Sequence, residues 1–374
     1  MHKPAAVALH GFVYSTNFGD MLLSRLSADI VRRNAPDAKI SLPFARRVFL
    51  RAAGINCATG LHQFLRADAL LYHGGGYFAF SPRFDLLKRA RLFKRFYAPG
   101  FVAAKLKKPY GIFGVGVGPI RTAIESRAVR HMFQGASLVS VRDEEGLDWL
   151  RRIGVSNGNI HLAADLAASL DWGQVPEQAV HEADRLLAAV QQEKRIGIHL
   201  SAPPGAGREY DAVARGIITF ADRHPEMGFV LVCDHLAGRN PHETPQYRAA
   251  VELVGRLGPR ASVVGQPPLW TLVALLGKLD GLVTNKLHAG IVSSAFGRRV
   301  VSIAKNEKNF RFFRQIGAES RCISLAEAKE ADVPDFLERG FESLHVPVPL
   351  PAPIRELSKK NELLIQSFLA DVGS

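Results

Sequence analysis

The sequence predicts an α/β protein made of two domains, each with a parallel sheet covered by helices on both faces. Short apolar runs alternate with stretches of helical period along the 374 residues, which is the pattern of repeated strand and helix units. The length exceeds one ordinary core and suits two domains of roughly 150 to 190 residues. The alternation breaks once, at Trp172-Gly173-Gln174-Val175-Pro176. We therefore expect domains at 1–172 and 173–374.

The individual elements follow from the same patterns. Apolar runs bounded by turn residues predict strands at 5–11, 38–42, 69–72, 110–115, 138–141 and 161–164, and in the second domain at 195–200, 228–233, 261–264, 281–284 and 300–303. Helical periodicity predicts helices at 20–33, 121–133, 144–153, 178–191, 291–296 and 355–372. The last helix follows a proline-rich passage, and we expect it to pack back on the first domain.

Composition excludes several classes of protein. No apolar stretch approaches the 18 or more residues of a membrane span, and the short run at 5–9 is not followed by a signal-peptide cleavage site. Three widely separated cysteines without metal-ligand spacing favour a reduced, cytoplasmic setting. The net charge of +13 also suits nucleic acid binding, but helix-turn-helix, zinc and aromatic RNA-binding signatures are missing. We expect no nucleic acid partner.

Most of the positive charge lies in one segment. Residues 83–108 contain nine Lys or Arg against the single acid Asp85, which gives +8 of the +13. If Leu86 to Tyr97 is helical, Ala90 and Phe93 lie with these two residues on one apolar face, and the cations lie beside and opposite it. Such a helix fits the surface of an anionic membrane. An ordinary amphipathic crossover helix with a solvated charged face fits equally well.

The sequence Asn285-Lys286-Leu287-His288 joins a predicted strand to an apolar helix. Open α/β sheets bind ligands at the carboxyl ends of strands, and the free N–H groups of a helix start favour an anion. Lys286 adds a cation, and His288 adds an imidazole that can change protonation near neutral pH. Lys308, after the next strand, can join this cluster. We expect the chemistry at this join.

Two segments of the first half suit a ligand. Asn17, Gly19 and Asp20 precede an apolar helix, where they either cap the helix or bind a substrate. The segment Gly74-Gly75-Gly76-Tyr77 follows a buried strand, and its backbone N–H groups can hold an anion or a sugar hydroxyl. It lacks the spacing of a dinucleotide fingerprint, so we expect no NAD site.

Two further strand ends carry charged residues. Arg142 offers a rigid fork for a carboxylate or phosphate, and Asp143 is placed to cap the following helix. The alternative is a simple pair between the two side chains. Asp165 follows the next strand, and its position alone does not separate a general base from a loop cap.

Taken in order, these segments resemble the polysaccharide pyruvyl transferase family. The matching pieces are N-x-G-D at Asn17 to Asp20, D-x-x-x-x-x-G-G-G at Asp68 to Gly76, G-V-G-P at Gly116 to Pro119, R-D at Arg142 and Asp143 with L-x-x-x-G-V at Leu150 to Val155, Asp165, and L-H-A at Leu287 to Ala289 with K-x-x-x-F at Lys308 to Phe312. The resemblance spans residues 10–317. No single piece is specific, but their order and spacing together are.

The resemblance implies two Rossmann-like domains similar to a B-type glycosyltransferase, with the active site in the interdomain cleft. It also implies transfer of the enolpyruvyl group of phosphoenolpyruvate onto sugar hydroxyls as a ketal, on a bacterial surface polysaccharide or its lipid-linked precursor. The family histidine corresponds to His288 and its phosphoenolpyruvate-binding arginines to Arg142 and Lys286. Lys286 is a departure, because the family has arginine there and lysine lacks the bidentate fork.

On this basis His288 is the expected acid or base and Asp165 or Asp143 the second group, with the acceptor glycan on the loops of the first domain. We expect no metal and no cofactor. A B-type glycosyltransferase using a nucleotide sugar is the main alternative, because an anion-binding helix start suits a diphosphate equally well. A non-catalytic relative that binds a glycan or an assembly partner is the third.

Overall fold

A computed structural model describes residues 4–79, 90–200, 207–234 and 244–372. The chain forms two compact units. Unit 1 comprises residues 1–15, 20–169 and 352–374, and unit 2 comprises residues 16–19 and 170–351. The junction at 169/170 lies close to the predicted boundary at 172/173. The division differs from the predicted ranges in two segments, because residues 16–19 group with unit 2 and residues 352–374 group with unit 1.

Unit 1 contains a parallel sheet with the order β2-β1-β3-β5-β6-β7, and β4 pairs with β5 outside this path. Its strands are β1 Ala6–His10, β2 Lys39–Ser41, β3 Ala69–Tyr72, β4 Gly75–Phe78, β5 Tyr110–Val117, β6 Leu138–Val141 and β7 Ile160–Leu162. Every residue of β3 and β5 is buried, as expected for parallel strands with helices on both faces.

The helices of unit 1 are α1 Phe18–Asn34, α2 Arg47–Ala53, α3 Leu61–Arg66, α4 Ala98–Lys105, α5 Ala123–Gly135, α6 Glu144–Arg152 and the C-terminal helix Ala352–Val372. Helices α1, α5, α6 and the C-terminal helix lie close to predicted positions, whereas α2, α3 and α4 were not predicted. A capping box of Thr122 and Glu125 starts α5. The side chain of Asp143 accepts a bond from Gly146 N at 2.7 Å and so caps α6, as predicted.

Unit 2 contains a second parallel sheet, with the order β10-β9-β8-β11-β12-β13. Its strands are β8 Lys194–His199, β9 Met227–Val232, β10 Ala261–Val264, β11 Gly281–Thr284, β12 Arg299–Ala304 and β13 Cys322–Ser324. Its helices are α7 Glu177–Leu187, α8 Arg208–Arg223, α9 Pro245–Leu257, α10 Leu269–Lys278, α11 Leu287–Ala295, α12 Glu307–Gln315 and α13 Val333–Gly340. Helix α11 begins earlier than predicted, so His288 lies in its first turn.

Both sheets reverse their direction of growth beside their first strand. In unit 1, β2 lies on one side of β1 and β3 on the other; in unit 2, β9 and β10 lie on one side of β8, and β11 on the other. Such switch points leave a crevice at the carboxyl ends of the two diverging strands, which is where open α/β sheets bind ligands. His10 and His199 end the two first strands.

Two predictions about local structure are wrong. Gly75 to Tyr77 belong to β4, which pairs with β5, and do not form an open anion-binding loop. In the basic segment, Leu86–Arg89 lie outside the described residues. Phe93–Tyr97 is a π-helical turn that buries Phe96 and Tyr97 and leaves Phe93 43% exposed. Because a π-helical turn winds more slowly than an α-helix, the predicted face is rotated.

The C-terminal helix is held in unit 1 by a buried network around Asn361. Its Oδ1 accepts a bond from Ser140 Oγ at 2.6 Å, and its Nδ2 donates to Ala164 O at 2.8 Å. Ser140 Oγ in turn accepts from Gly114 N at 2.8 Å. These bonds join the helix to β5, β6 and the segment after β7.

Replacing Asn361 with alanine should lower the free energy of unfolding by about 2 to 4 kcal/mol, because it leaves the buried Ser140 hydroxyl and Ala164 carbonyl without this partner. Urea unfolding of both proteins measures the change. Lys359→Ala on an exposed face of the same helix is the control and should change it by less than about 0.5 kcal/mol. Equal losses in both variants would contradict the role given to Asn361.

Candidate functional site

Three charged or titratable side chains of unit 2 meet at the carboxyl ends of three adjacent strands. Asp234 follows β9, His199 ends β8, and Lys286 follows β11. Oδ1 of Asp234 lies 3.2 Å from Nε2 of His199 and 3.0 Å from Nζ of Lys286. His199 and Asp234 are fully buried, whereas the Lys286 side chain remains 18% exposed. The cluster therefore presents one cation at the switch point of this sheet.

The charge of Asp234 depends on its two partners. Burial alone would raise the pKa of this carboxyl, but the interactions with His199 and Lys286 outweigh it and hold the pKa well below its usual range. Asp234 is therefore a carboxylate. It fixes the ammonium group of Lys286 at the start of α11.

The backbone around Lys286 is equally constrained. Thr284 Oγ1 donates to His199 O at 2.9 Å and accepts from Lys286 N at 2.9 Å. Lys286 occupies the N-cap position of α11 and has an extended backbone, while its side chain turns to Asp234. The N–H groups of the first turn of α11 thus start beside a fixed cation, an arrangement suited to an anion.

The loop at 16–19 packs against His288 within unit 2. A methyl group added at Gly19 would overlap the His288 ring, so only glycine allows this approach. Asn17 Oδ1 accepts a bond from Gly19 N at 3.1 Å and shapes the turn. Two motifs separated by about 270 positions in the sequence, at Asn17 to Gly19 and at Leu287 to Ala289, are brought together here.

A second charged cluster lies in unit 1. Arg142 Nη1 lies 3.3 Å from Asp165 Oδ2, and Arg142 Nε lies 3.6 Å from Asp143 Oδ2; all three side chains are buried. A methyl group at Gly116 would come within 2.7 Å of Arg142 Nη2, so the guanidinium lies on this glycine. The pair is therefore a buried network rather than the surface pair of the alternative interpretation.

The switch point of unit 1 is occupied by two buried histidines. His10 Nε2 lies 2.8 Å from Arg95 O, and His73 Nε2 lies 2.9 Å from Ser24 Oγ. Burial lowers the pKa of His10 to about 3 and that of His73 to about 4. Both rings are therefore neutral at neutral pH. Tyr77 donates its hydroxyl to His73 O, which links β4 to this pair.

The remaining predicted residues occupy separate places. Asp20 lies in the first turn of α1 in unit 1. The pKa of Tyr77 is raised mainly by the burial of Tyr77 and further by the negative charge of Asp20. Asn285 is buried between β11 and α11, with its N–H donating to His199 O at 3.3 Å. Lys308 is exposed in the first turn of α12. In β4, Gly76 is exposed, whereas Gly75 and Tyr77 are buried, and Gly74 lies between β3 and β4.

Sequence reasoning missed His199 and Asp234. Each stands at the end of a strand whose position was predicted, and a carboxylate directly after a buried apolar run is unusual for a core strand. That signal is present in the sequence. The pairing of these two residues with Lys286 is not visible in the sequence, because it depends on β8 lying between β9 and β11.

No helix in the parts of the chain that the structure describes is long and apolar enough to cross a bilayer. Among the same residues, no group of three or more His, Cys, Asp or Glu side chains is arranged to hold a metal ion.

Solved structures show the class of fold. The structure is similar to UDP-GlcNAc 2-epimerase from Neisseria meningitidis bound to UDP-GlcNAc, with a TM-score of 0.66, 12% identity and coverage of 98% of this chain and 99% of that chain. It is also similar to S. aureus MnaA with UDP, with a TM-score of 0.66, 11% identity and coverage of 98% and 96%. HepE of Anabaena in complex with UDP and glucose gives a TM-score of 0.58, 12% identity and 98% of each chain. The likeness confirms the predicted fold, two Rossmann-like domains of the B-type glycosyltransferase class.

The chain belongs to the polysaccharide pyruvyl transferase family, whose model matches residues 17–306. The resemblance inferred from the motifs is thereby confirmed, and the protein is an enzyme of the transferase class. The matched range begins at Asn17 and includes both the Arg142 cluster and the Lys286 cluster.

Acid should destabilise unit 1 through its buried histidines. The folded-state pKa of His10 lies below that of an unfolded chain, near 6.5, so its contribution is complete above pH 6.5 and is lost as pH falls towards 3. Between pH 7 and pH 5 this loss is about 2 kcal/mol. His10→Gln keeps a side-chain N–H donor and should remove that part of the pH dependence, measured by urea unfolding at both pH values. His62→Gln, at an exposed position, should leave the dependence unchanged; equal effects would refute the assignment.

A methyl group at position 19 should displace the His288 ring. We expect Gly19→Ala to shift the imidazole resonances of His288 in NMR spectra while far-UV circular dichroism stays unchanged, because the ring can turn but the backbone cannot move cheaply. Gly255→Ala, where the added methyl group meets open space, is the matched control. Unchanged His288 resonances in Gly19→Ala would show that the loop does not constrain the ring.

Proposed function

We propose that the enzyme transfers the enolpyruvyl group of phosphoenolpyruvate onto two hydroxyls of a sugar, where protonation of its methylene carbon turns it into a pyruvate ketal, on a bacterial surface polysaccharide or its lipid-linked precursor. The observation that carries the proposal is the Lys286 to His288 join. It combines a fixed cation, the start of α11 and a histidine held by the family's own N-x-G-D loop. Family membership supports the transferase class and a polysaccharide acceptor.

The donor is assigned to unit 2. Phosphoenolpyruvate carries a phosphate and a carboxylate, and preorganised positive charge stabilises such groups best where water is excluded. One N–H group of the Lys286 ammonium is directed to Asp234. The other N–H groups of this ammonium, together with the backbone N–H groups of the first turn of α11, are assigned to the anion. A lysine in this role acts as a positioned point charge, where an arginine would form a bidentate fork.

The Arg142 cluster receives a different role from the one that the resemblance implies. Its guanidinium is already balanced by Asp143 and Asp165, so an added phosphate would have to compete with two carboxylates. We assign Asp165 as the second proton-transfer group and Arg142 as the residue that positions it. Asn17, Asp20 and the exposed Gly76 remain the proposed contacts of the acceptor glycan, with the buried Gly74, Gly75 and Tyr77 holding Gly76 in place. Lys308 and Asn285 remain proposed contacts of phosphoenolpyruvate.

The chemistry balances without a resident cofactor. A proton adds to the methylene carbon of phosphoenolpyruvate, and a sugar hydroxyl attacks C2 and gives up its proton to a base. The C2–O bond to phosphate then breaks, and a second hydroxyl attacks C2 to close the ketal. The proton of the second hydroxyl balances the one taken up by the released inorganic phosphate. His288 supplies or accepts one of these protons, as a histidine can near neutral pH. This reaction is assigned to the cytoplasm, where phosphoenolpyruvate is available.

A nucleotide-sugar glycosyltransferase is the second candidate. The observation that favours it is the fold, because the similar structures from Neisseria meningitidis and Anabaena were solved with UDP-GlcNAc and with UDP and glucose. A diphosphate would suit the start of α11 as well as a phosphomonoester does. The two candidates differ in the ligand that should stabilise the protein.

Phosphoenolpyruvate should raise the melting temperature of the protein more than UDP or UDP-GlcNAc does. At about 100 times its dissociation constant, the stabilisation should be about 2.7 kcal/mol. Lys286→Ala should remove it, and Lys286→Arg should retain it because the positive charge remains. Stabilisation by UDP-GlcNAc alone would favour the glycosyltransferase.

With an acceptor glycan present, His288→Gln should reduce phosphate release from phosphoenolpyruvate by at least about 100-fold, while melting temperature and phosphoenolpyruvate-induced stabilisation persist. His345→Gln, at an exposed site in the same unit, is the control. Retained turnover in His288→Gln would remove this residue from the mechanism without affecting the donor assignment.

A further inference from the structure

Two helical segments of unit 1 form one continuous surface. The first runs from Ala90 through the π-helical turn Phe93–Tyr97 and α4 to the turn at 106–107, and the second is α5 with residues 121–122 that precede it. They pack side by side, since the rings of Phe101 and His131 lie 4.7 Å apart and Gly100 faces Met132. The first turn of α5 lies beside Tyr97, whose pKa is raised by burial and by the charge of Glu125.

Large apolar side chains remain exposed on this surface. Phe93 is 43% exposed, Val102 41%, Leu106 46% and Ile124 77%. Other residues of the same segments pack into the core and are fully buried, including Phe96, Tyr97, Ala103 and Met132. The four exposed side chains are therefore not needed to close the core. Val102 and Leu106 are one helical turn apart and share a face.

The same surface carries cations, and within residues 90–108 and 121–135 it has no exposed carboxylate. Six Lys or Arg and no acid occur in 90–108, and Glu125, the acid of 121–135, is buried and accepts bonds from Arg121 N and Thr122 N. Lys108 and Arg95 serve the fold, through bonds to Leu65 O and Ala67 O and through stacking on Tyr14. The exposed cations are Arg91, Lys94, Lys105, Lys107, Arg121, Arg127 and Arg130.

We propose that this basic-apolar face, made of these seven cations with Phe93, Val102, Leu106 and Ile124, binds the surface of an anionic lipid bilayer. Large apolar side chains that can enter the headgroup region, set among cations that attract acidic lipids, are the two requirements of an interfacial membrane site. Nucleic acid would use the cations but would gain little from exposed Val, Leu and Ile side chains. The face differs from the one predicted from sequence, because Tyr97 belongs to the core and α4 and α5 contribute. Binding of this face to lipid is independent of the reaction proposed for the enzyme.

The test is co-sedimentation of the full-length protein with vesicles of phosphatidylcholine alone and of phosphatidylcholine mixed with phosphatidylglycerol. We expect binding to the anionic vesicles to be at least about tenfold stronger and to weaken as salt is raised. The double variant Arg91→Glu, Lys94→Glu should lower it at least tenfold, and so should Leu106→Glu, Ile124→Glu. Arg256→Glu and Leu363→Glu each place one change of the same kind at an exposed position elsewhere and should bind like the unmodified protein.

Circular dichroism and thermal unfolding establish that each variant is folded, since all substituted side chains are exposed. Equal binding to neutral and anionic vesicles would overturn the proposal, and so would losses no larger than those of the two controls. Binding to single-stranded RNA without binding to anionic vesicles would also overturn it and identify the face as a polyanion site. Because phosphate release in solution is measured separately, failure of this test leaves the proposed reaction untouched.

Discussion

Coverage of both faces of a parallel sheet is the constraint on which the rest of this structure depends. Strands such as Ala69–Tyr72 and Tyr110–Val117 are buried along their whole length, so a polar side chain within them would lose water without gaining a partner. The polar side chains that do lie within strands, such as Ser140 in β6, are hydrogen-bonded, and the charged clusters lie at the strand ends. There the chain turns into a helix, and backbone N–H groups are available. Both charged clusters and the buried histidine pair occupy this level of the two sheets.

The Asp234 carboxylate shows how an ion can be kept at such a place. Moving a carboxylate out of water costs several kcal/mol, which an interaction with one partner often does not recover. Here one oxygen lies within 3.2 Å of both His199 and Lys286. The ion pair with Asp234 restricts the Lys286 side chain to few rotamers and so holds its ammonium group in one position. A site that must bind an anion gains from this, because the lysine is oriented before the ligand arrives.

The sequence allowed much of the fold to be predicted, but little of the site's geometry. The predicted strands at 69–72, 138–141, 261–264 and 281–284 coincide with the observed ones. A short apolar run between turn residues is too short for a helix and is buried most readily as a strand of a covered sheet. The glycine segment was misjudged, since pairing with β5 overrides the low strand propensity of glycine. The motifs placed His288, Lys286 and Arg142 at strand ends correctly. The approach of Gly19 to His288 and of Asp234 to Lys286 depends on strand order and loop packing, which no local pattern encodes.

The position of the C-terminal helix in the sequence affects how the protein folds during its synthesis. Ser140 and Asn361 are joined across 221 positions, and Ala352–Val372 leaves the ribosome only after the whole of 170–351. Those residues are continuous in the sequence and can form most of unit 2 during synthesis. Unit 1 must instead wait, with the surface that will receive Ile365 and Phe368 uncovered, until they have been translated. Its exposure to chaperones and proteases is therefore set by the time taken to translate unit 2.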